Sequence, residues 1–199
     1  MAMTSNQRTA TAYLGATVLT CICAAAYLLT AGIDDESIKL ALRVSGRVAF
    51  AVLIVVFAAR PLQQLLKKPW TAKMLRNRKL FGVAFAGIHT AHLGLIFMRA
   101  NHIPEFNVAL NLPGGTVYAF MFLMLITSFS GPAKAIGPKA WKVLHKLGLF
   151  VMFYGFSRSQ MPASIDELKF VNALLLVLAA AALVLRIVVF FRSRRPQPQ

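Results

Sequence analysis

Six long apolar stretches divide this chain, and they constrain its fold more than any other feature of the sequence. A membrane-spanning helix needs about 20 mainly apolar residues, within a range of roughly 17 to 25. The stretches cover residues 12–31, 38–59, 80–98, 117–129, 143–156 and 170–191. Four reach span length unaided, and the fourth and fifth reach it only if their helices begin near Gly114 and Pro138. We therefore predict an all-α polytopic membrane protein whose six-transmembrane-helix bundle occupies residues 1–191.

The composition agrees with a membrane location. Hydrophobic residues make up 58% of the 199 residues and charged residues 14%, whereas soluble domains are roughly half apolar and about a quarter charged. No change in composition marks a second domain. Residues 192–199, which end in RRPQPQ, are predicted to form a disordered basic tail.

The distribution of charge predicts the orientation in the membrane. If the N-terminus lies in the cytoplasm, fifteen of the 22 basic residues fall on cytoplasmic segments and all six acidic residues fall on the opposite side. Because Lys and Arg concentrate on cytoplasmic loops, both termini are predicted to be cytoplasmic, in a bacterial-type inner (cell) membrane. Insertion and attraction to anionic lipid explain the net charge of +16 without nucleic acid. A cleaved signal peptide at the first span remains an alternative that leaves the other five spans unchanged.

Ionisable residues inside the apolar stretches are the strongest indication of a site, because such groups are costly in hydrocarbon unless they have partners. The candidates are His89 and His92 on the third span, His145 on the fifth, and Arg43 and Arg47 on the second. His89 and His92 are three residues apart and therefore share a helix face. The third and fifth spans run in the same direction, so a ligand between them would contact one histidine from each.

Haem suits this set of residues better than a bare metal ion does. Zinc usually takes four ligands, or three and a water, and these often include cysteine or carboxylate, which are not available at this depth. Haem iron needs only one or two axial ligands, commonly histidine, and helix bundles house such cofactors. Covalent attachment would need a Cys-x-x-Cys-His motif, which the sequence lacks. We therefore expect a b-type haem, and the loops are too short for a flavin or nicotinamide domain.

Two further groups of side chains have alternative interpretations. Arg43 and Arg47 are four residues apart on one helix face, where they can clamp the haem propionates or extend to the outer headgroups. The methionines of the fourth and fifth spans, Met121, Met124 and Met152, are either core residues or a source of an axial ligand.

Three motifs in order support the haem interpretation. The chain has ARPL at the end of the second span (residues 59–62), RKLFGV before the two histidines of the third (78–83), and WKVLH at the start of the fifth (141–145). With them, residues 40–160 resemble the ferric reductase-like transmembrane domain superfamily, which includes the haem-binding membrane subunit of the bacterial methionine sulfoxide reductase system. The sixth span agrees with that superfamily in position only.

The resemblance implies electron transfer through b-type haem that is ligated by histidines of the third and fifth spans. His145 matches the fifth-span ligand. His92 matches the third-span ligand by motif, whereas His89 is the better partner of His145 by depth, so both stay candidates. Many relatives have a second histidine further along the fifth span, at the position of Arg158 here. We therefore expect one haem.

The predicted function is that of a membrane b-type cytochrome. Electrons would come from a separate cytoplasmic flavin reductase or from quinol and pass to an acceptor at the outer face, such as a periplasmic redox partner. On this interpretation the chain is the electron-transfer subunit of an oxidoreductase, and whether it is an enzyme in its own right stays open. The alternative is a haem-free small transporter or assembly factor whose histidines handle protons or metal.

Overall fold

The chain is helical throughout the part that the structure, a computed structural model, describes. The described residues are 3–102, 112–160 and 169–193, so the tail residues 194–199 lie outside them. The helices are α1 (Ser5–Ala31), α2 (Asp35–Leu66), α3 (Pro69–Arg76), α4 (Arg78–His102), α5 (Leu112–Ile126), α6 (Ser130–Gln160) and α7 (Lys169–Arg192). The all-α class is confirmed. The predicted third, fourth, fifth and sixth spans correspond to α4, α5, α6 and α7.

Four of these helices, α1, α2, α4 and α7, are long and apolar enough to cross a membrane. Helices α5 and α6 pass the same test only as a pair that is bent by 110°. The 15 residues of α5 extend for about 22 Å at 1.5 Å per residue, which is short of a hydrocarbon core of about 30 Å. The structure thus supports a membrane protein with four or five spans, fewer than the six predicted from the apolar stretches.

A glycine and a proline separate two parts of α6. Gly137 has φ 76° and ψ 164°, which interrupts the helix, and glycine adopts a positive φ without steric penalty. Helical geometry resumes at Pro138, whose fixed φ and missing N–H suit a first helical turn. The predicted helix start near Pro138 is confirmed, and the structure adds a further helical turn before it.

The predicted link between the second and third spans contains helix rather than loop. Helix α2 continues to Leu66 and therefore includes Pro61, and Lys67 ends it in the left-handed conformation with φ 49°. Helix α3 then begins with Pro69 at its first turn. Its Trp70 side chain is 56% exposed next to basic residues, an arrangement that suits the headgroup layer of a membrane.

The acidic residues of the described chain are confined to one end of the bundle. At one end Asp34 caps α2 by accepting a hydrogen bond from the Ser37 N–H (2.8 Å), and Arg99 Nε of α4 lies 2.7 Å from Asp35 Oδ1. We call this the acidic end. At the opposite end, here called the basic end, α2 finishes, α4 begins and α7 finishes among lysines and arginines.

Helix α2 lies at the centre of the bundle, against α4, α6 and α7. Phe50, Leu53 and Phe57 lie on one face of α2 and are almost fully buried. The Phe57 ring stacks on Phe153 of α6 with centroids 3.9 Å apart, and the Phe50 ring stacks on Phe156 at 5.8 Å. These aromatic contacts hold α6 beside α2, while α1 packs on α4 and α5 packs on α6.

The contact between α1 and α4 depends on a glycine. A Cβ atom at Gly87 would collide with the Tyr13 carbonyl oxygen and lie 3.0 Å from Thr17 Oγ1. Thr17 donates a hydrogen bond to Tyr13 O (2.9 Å), and Tyr13 Oη donates one to Thr90 Oγ1 (3.2 Å). Small residues permit such close approach of helices in membranes.

We expect Gly87→Ala to destabilise the fold by about 1–3 kcal/mol, the usual range for overpacking, because the added methyl group meets the backbone of α1. Thermal unfolding of the detergent-solubilised protein measures this. Gly94→Ala is the matched control on α4, because a Cβ atom there meets nothing within 4 Å. Equal unfolding midpoints for the two variants would contradict the proposed contact.

Candidate functional site

Helix α4 places His89 and His92 side by side, as their spacing predicts. Their rings are stacked with centroids 4.9 Å apart and 19° between the planes. His89 also stacks on Tyr118 of α5 (4.5 Å, 6°) and contacts Phe156 of α6 (4.8 Å). The pair therefore faces the interior of the bundle.

The His92 ring is oriented by a serine of α2. His92 Nδ1 lies 2.9 Å from Ser45 Oγ, and Ser45 Oγ donates its proton to the Ala41 carbonyl at 2.7 Å. Because a hydroxyl has one proton, Ser45 must accept a hydrogen bond from His92 Nδ1–H. The lone pair of His92 is then on Nε2. Gly46, next to the serine, lies beside the ring, and a Cβ there would be in ordinary van der Waals contact with His92 Cε1 at 3.5 Å.

His89 is the most enclosed of the three candidate histidines. Only 6% of it is exposed, and within the described residues its Nδ1 atom is buried without a hydrogen-bond partner. The hydroxyl of Tyr118, whose ring stacks on His89, is also buried without a partner among those residues. Buried polar atoms of this kind are rare and mark a site of strain, function or bound water.

His145 lies in a different environment, near the basic end. Its Nε2 atom lies 3.0 Å from Thr127 Oγ1, and the threonine donates its proton to Leu123 O at 2.7 Å. By the same reasoning Thr127 accepts from His145 Nε2–H, so the lone pair is on Nδ1. Trp141 stacks on the imidazole with centroids 4.2 Å apart and donates Nε1–H to Thr127 O (2.9 Å).

A pocket of about 780 Å³ opens beside His145 at the basic end. Its walls are apolar side chains of α2, α4, α5 and α6 together with the thioethers of Met121, Met124 and Met152. Seven lysine and arginine residues also line it, and no acidic residue does. A cavity with an apolar interior, one imidazole and several cations suits an amphipathic anionic ligand.

The pocket lining contains neither His89 nor His92. Phe85 of α4 lines the pocket, and its ring stacks on His89 one turn further along (5.7 Å). Met121 lines the pocket as well, and Tyr118, one turn before it on α5, stacks on His89. The layer of His89 therefore begins about one helical turn beyond the pocket, or roughly 5 Å, towards the acidic end.

Two arginines connect the pocket to the backbone of α2. Pro61 has no N–H, so the carbonyl of Phe57 lacks its usual donor four residues later. Arg186 of α7 supplies a donor instead, with Nε 3.1 Å from Phe57 O, and its guanidinium lies 3.9 Å from the centroid of the Phe57 ring. Arg78 of α4 donates Nε–H to the adjacent carbonyl, Val56 O, at 2.9 Å.

The arginines selected from the sequence lie elsewhere. Arg47 is 7% exposed and donates Nε–H to Asn172 Oδ1 of α7 at 2.6 Å, so it does not extend to the headgroups. Arg43 is exposed one turn closer to the acidic end. Neither lines the pocket of His145.

Sequence reasoning missed Arg186 and Thr127 as site residues. Arg186 is an ionisable residue inside the last apolar stretch, so the rule that selected the histidines would also have selected it. Thr127 carries no such signal, because it is not ionisable and its contact with His145 depends on the bend between α5 and α6. Within the described ranges, no group of three or more His, Cys, Asp or Glu residues is placed to hold a metal ion.

Comparison with known proteins assigns no family. No protein-family model matches the chain, and no curated protein or solved structure matches it either. Functional assignment therefore rests on the chemistry of the site.

A double-mutant cycle tests the role of Pro61 and Arg186. We expect Arg186→Leu to destabilise the protein by about 1–3 kcal/mol, the usual cost of leaving a buried polar group unpaired, because Phe57 O loses its donor. The loss should be smaller in a Pro61→Ala background, where residue 61 has an N–H that can bond to Phe57 O. Unfolding midpoints in detergent measure both effects, and Arg192→Leu on the same helix is the control.

A coupling energy of about 0.5–3 kcal/mol between the two positions is expected for groups that share one partner. If Arg186→Leu has the same effect in both backgrounds, its stabilising role lies in its contact with the Phe57 ring rather than in the backbone bond.

Proposed function

We propose that this chain is a membrane-embedded electron carrier that binds one b-type haem in the pocket at the basic end, with His145 as an axial ligand. The observation that carries the proposal is the chemistry of that pocket, where an imidazole, three thioethers and several cations surround an apolar space. Its volume of about 780 Å³ lies within the range of about 300–1,000 Å³ that is usual for cofactor sites. When bound, haem supplies a one-electron iron couple.

The hydrogen bond of His145 supports a ligand role. Metal-binding histidines nearly always donate the N–H of their second nitrogen to a fixed acceptor, which orients the ring. Thr127 Oγ1 is such an acceptor at 3.0 Å. Trp141 donates a hydrogen bond to the backbone carbonyl of the same threonine. Thr127 and Trp141 thus hold the plane of this imidazole without any ligand.

A methionine is the proposed second ligand. Met121, Met124 and Met152 line the same pocket as His145, and methionine with histidine is an established axial pair that raises the reduction potential. Met124 is the candidate tested below, because its Sδ lies next to Gly148, which is three residues after His145 and therefore on the same face of α6. This proposal replaces the third-span histidine of the resemblance with a thioether from α5.

His89 and His92 form the alternative ligand set. They lie one layer beyond the pocket, and the resemblance to the ferric reductase-like superfamily names a third-span histidine as a ligand. His89 Nδ1 has no hydrogen-bond partner among the described residues, and His92 has a lone pair on Nε2. Either nitrogen could bind iron, so both residues are included in the test below.

The membrane setting completes the proposal. In the proposed topology α5 and α6 each cross the membrane despite the shortness of α5, which would give six spans, with both termini in the cytoplasm of a bacterial-type cell and the basic end facing inwards. The electron donor would be a separate flavin reductase or quinol, and the acceptor would lie at the acidic, outer face. In that arrangement the chain is the electron-transfer subunit of an oxidoreductase.

Absorption spectroscopy of the detergent-purified protein tests the proposal. We expect a Soret band, and sharp α and β bands after reduction with dithionite. His145→Ala should abolish the bound haem without loss of folded protein, because it removes the imidazole of the pocket. His102→Ala, at the exposed last residue of α4, is the control and should leave the spectrum unchanged.

Variants at the second ligand distinguish the two ligand sets. Met124→Leu, which nearly conserves volume, should change the reduced spectrum and lower the reduction potential, whereas His89→Ala and His92→Ala should leave haem in place. Haem loss in the histidine variants alone would support the ligand set of the resemblance. A colourless, folded wild-type protein would reject the haem proposal and favour a haem-free transporter or assembly factor.

A further inference from the structure

Within the described residues, the positive charge of the pocket is not matched by any acidic side chain in its lining. Seven basic residues and no acidic residue line it, and the acidic residues of the described chain, Asp34, Asp35 and Glu36, are at the opposite end of α2. Arg60, Arg78 and Arg186 are close enough to repel one another electrostatically. Five of the seven basic side chains are exposed, whereas Arg78 and Arg186 are only half-exposed and their charges are therefore the least well solvated of the set. An anion bound beside these two guanidinium groups would offset their mutual repulsion.

Two of these cations are held in place rather than free to extend into water. Arg78 and Arg186 come from different helices, α4 and α7, and their Nε atoms bond to neighbouring carbonyls of α2 at 2.9 and 3.1 Å. A guanidinium has five N–H donors. Among the described residues, neither side chain makes any other hydrogen bond, so the terminal nitrogens remain for a ligand at the pocket that both arginines line.

We propose that Arg78 and Arg186 form an oxyanion clamp, in which two neighbouring carbonyls of α2, Val56 O and Phe57 O, fix the guanidinium groups and the terminal nitrogens bind the carboxylates of the pocket's ligand. This inference rests on the proposed function, because haem is the carboxylate-bearing ligand in question. Arginine suits the task, since its planar group binds carboxylates with two parallel hydrogen bonds. The clamp takes the role that the sequence suggested for Arg43 and Arg47.

The phosphate of an anionic phospholipid shares this oxyanion chemistry, and basic pockets between helices on the cytoplasmic side can bind such headgroups. The apolar interior of the pocket favours a ligand that enters it fully. We therefore assign the clamp to the carboxylates of the macrocycle and treat lipid phosphate as an outcome of the test.

Titration of the full-length protein with two porphyrins tests the clamp. One is iron protoporphyrin IX and the other is its dimethyl ester, which keeps the macrocycle and the iron but has no carboxylates. Binding is followed at the Soret band. We expect wild type to bind the free acid more tightly by on the order of tenfold or more, as charge-assisted hydrogen bonds imply. Arg78→Leu and Arg186→Leu should each weaken binding of the free acid and leave the ester nearly unaffected, whereas Arg192→Leu should change neither.

A second variant separates the clamp from a role in folding. Arg186→Leu also removes the donor of Phe57 O, so weaker binding can come from a damaged fold. Pro61→Ala combined with Arg186→Leu restores a backbone donor for that carbonyl. If the clamp is correct, the double variant is as stable as wild type but keeps the reduced preference for the free acid that Arg186→Leu shows. If it regains the wild-type preference, Arg186 acts only on the fold and the clamp is rejected.

The remaining outcomes are equally decisive. Equal affinity of wild type for the two porphyrins, with both lost in His145→Ala, rejects the clamp and leaves the proposed function in place. Failure to bind either porphyrin rejects both. Phosphatidylglycerol micelles provide the last comparison. If they abolish the arginine-dependent preference for the free acid over the ester, at concentrations that leave ester binding intact, the two arginines bind lipid phosphate and the carboxylate assignment is overturned.

Discussion

The basic end of this protein depends on one backbone carbonyl that α2 cannot satisfy by itself. In a membrane interior no water is available for an unpaired backbone group, so neighbouring helices must supply the missing partner. Pro61 creates that requirement at Phe57 O, and Arg186 of α7 meets it while Arg78 of α4 bonds to the carbonyl beside it. The missing N–H thus ties α7 to α2, and the neighbouring carbonyl ties α4 to the same turn of α2. All three helices contribute to the pocket wall.

This constraint gives the ARPL sequence a physical meaning. The proline opens the helix without ending it, since α2 continues to Leu66. The opening lies beside Phe57, whose ring is stacked on Phe153 and covered by the Arg186 guanidinium. A cation can be placed inside a membrane bundle when a carbonyl and an aromatic face both receive it. The motif therefore affects where two arginines lie as well as the shape of α2.

Features that depend on local sequence could be predicted, and features that depend on the meeting of distant segments could not. The long apolar stretches predicted four helices of span length, and the proline predicted the start of the second part of α6 near Pro138. The bend between α5 and α6 was not foreseen, because apolar composition does not distinguish a span from a shorter helix that ends within the bundle.

The histidine site shows the same division. The spacing of His89 and His92 predicted their common face, but their relation to His145 depends on how far α4 and α6 are displaced along each other. That displacement is set by packing, such as the Phe50–Phe156 stack, and no pattern in the sequence encodes it.

Topology alone explains many of the basic residues but not the arginines of the pocket. A lysine on a cytoplasmic loop needs only water and lipid headgroups, and the positive-inside tendency acts on such exposed charges. Arg186 lies inside an apolar helix and Arg78 at the start of another, and each donates to a buried backbone carbonyl instead of extending to the surface. Ordering a long side chain in this way has an entropic cost, and bringing two cations together adds electrostatic repulsion. A bond to one carbonyl offsets part of this cost and leaves the charge uncompensated. A bound anion would offset the rest of the cost, and for that reason we attribute Arg78 and Arg186 to the proposed ligand site rather than to the orientation of the chain in the membrane.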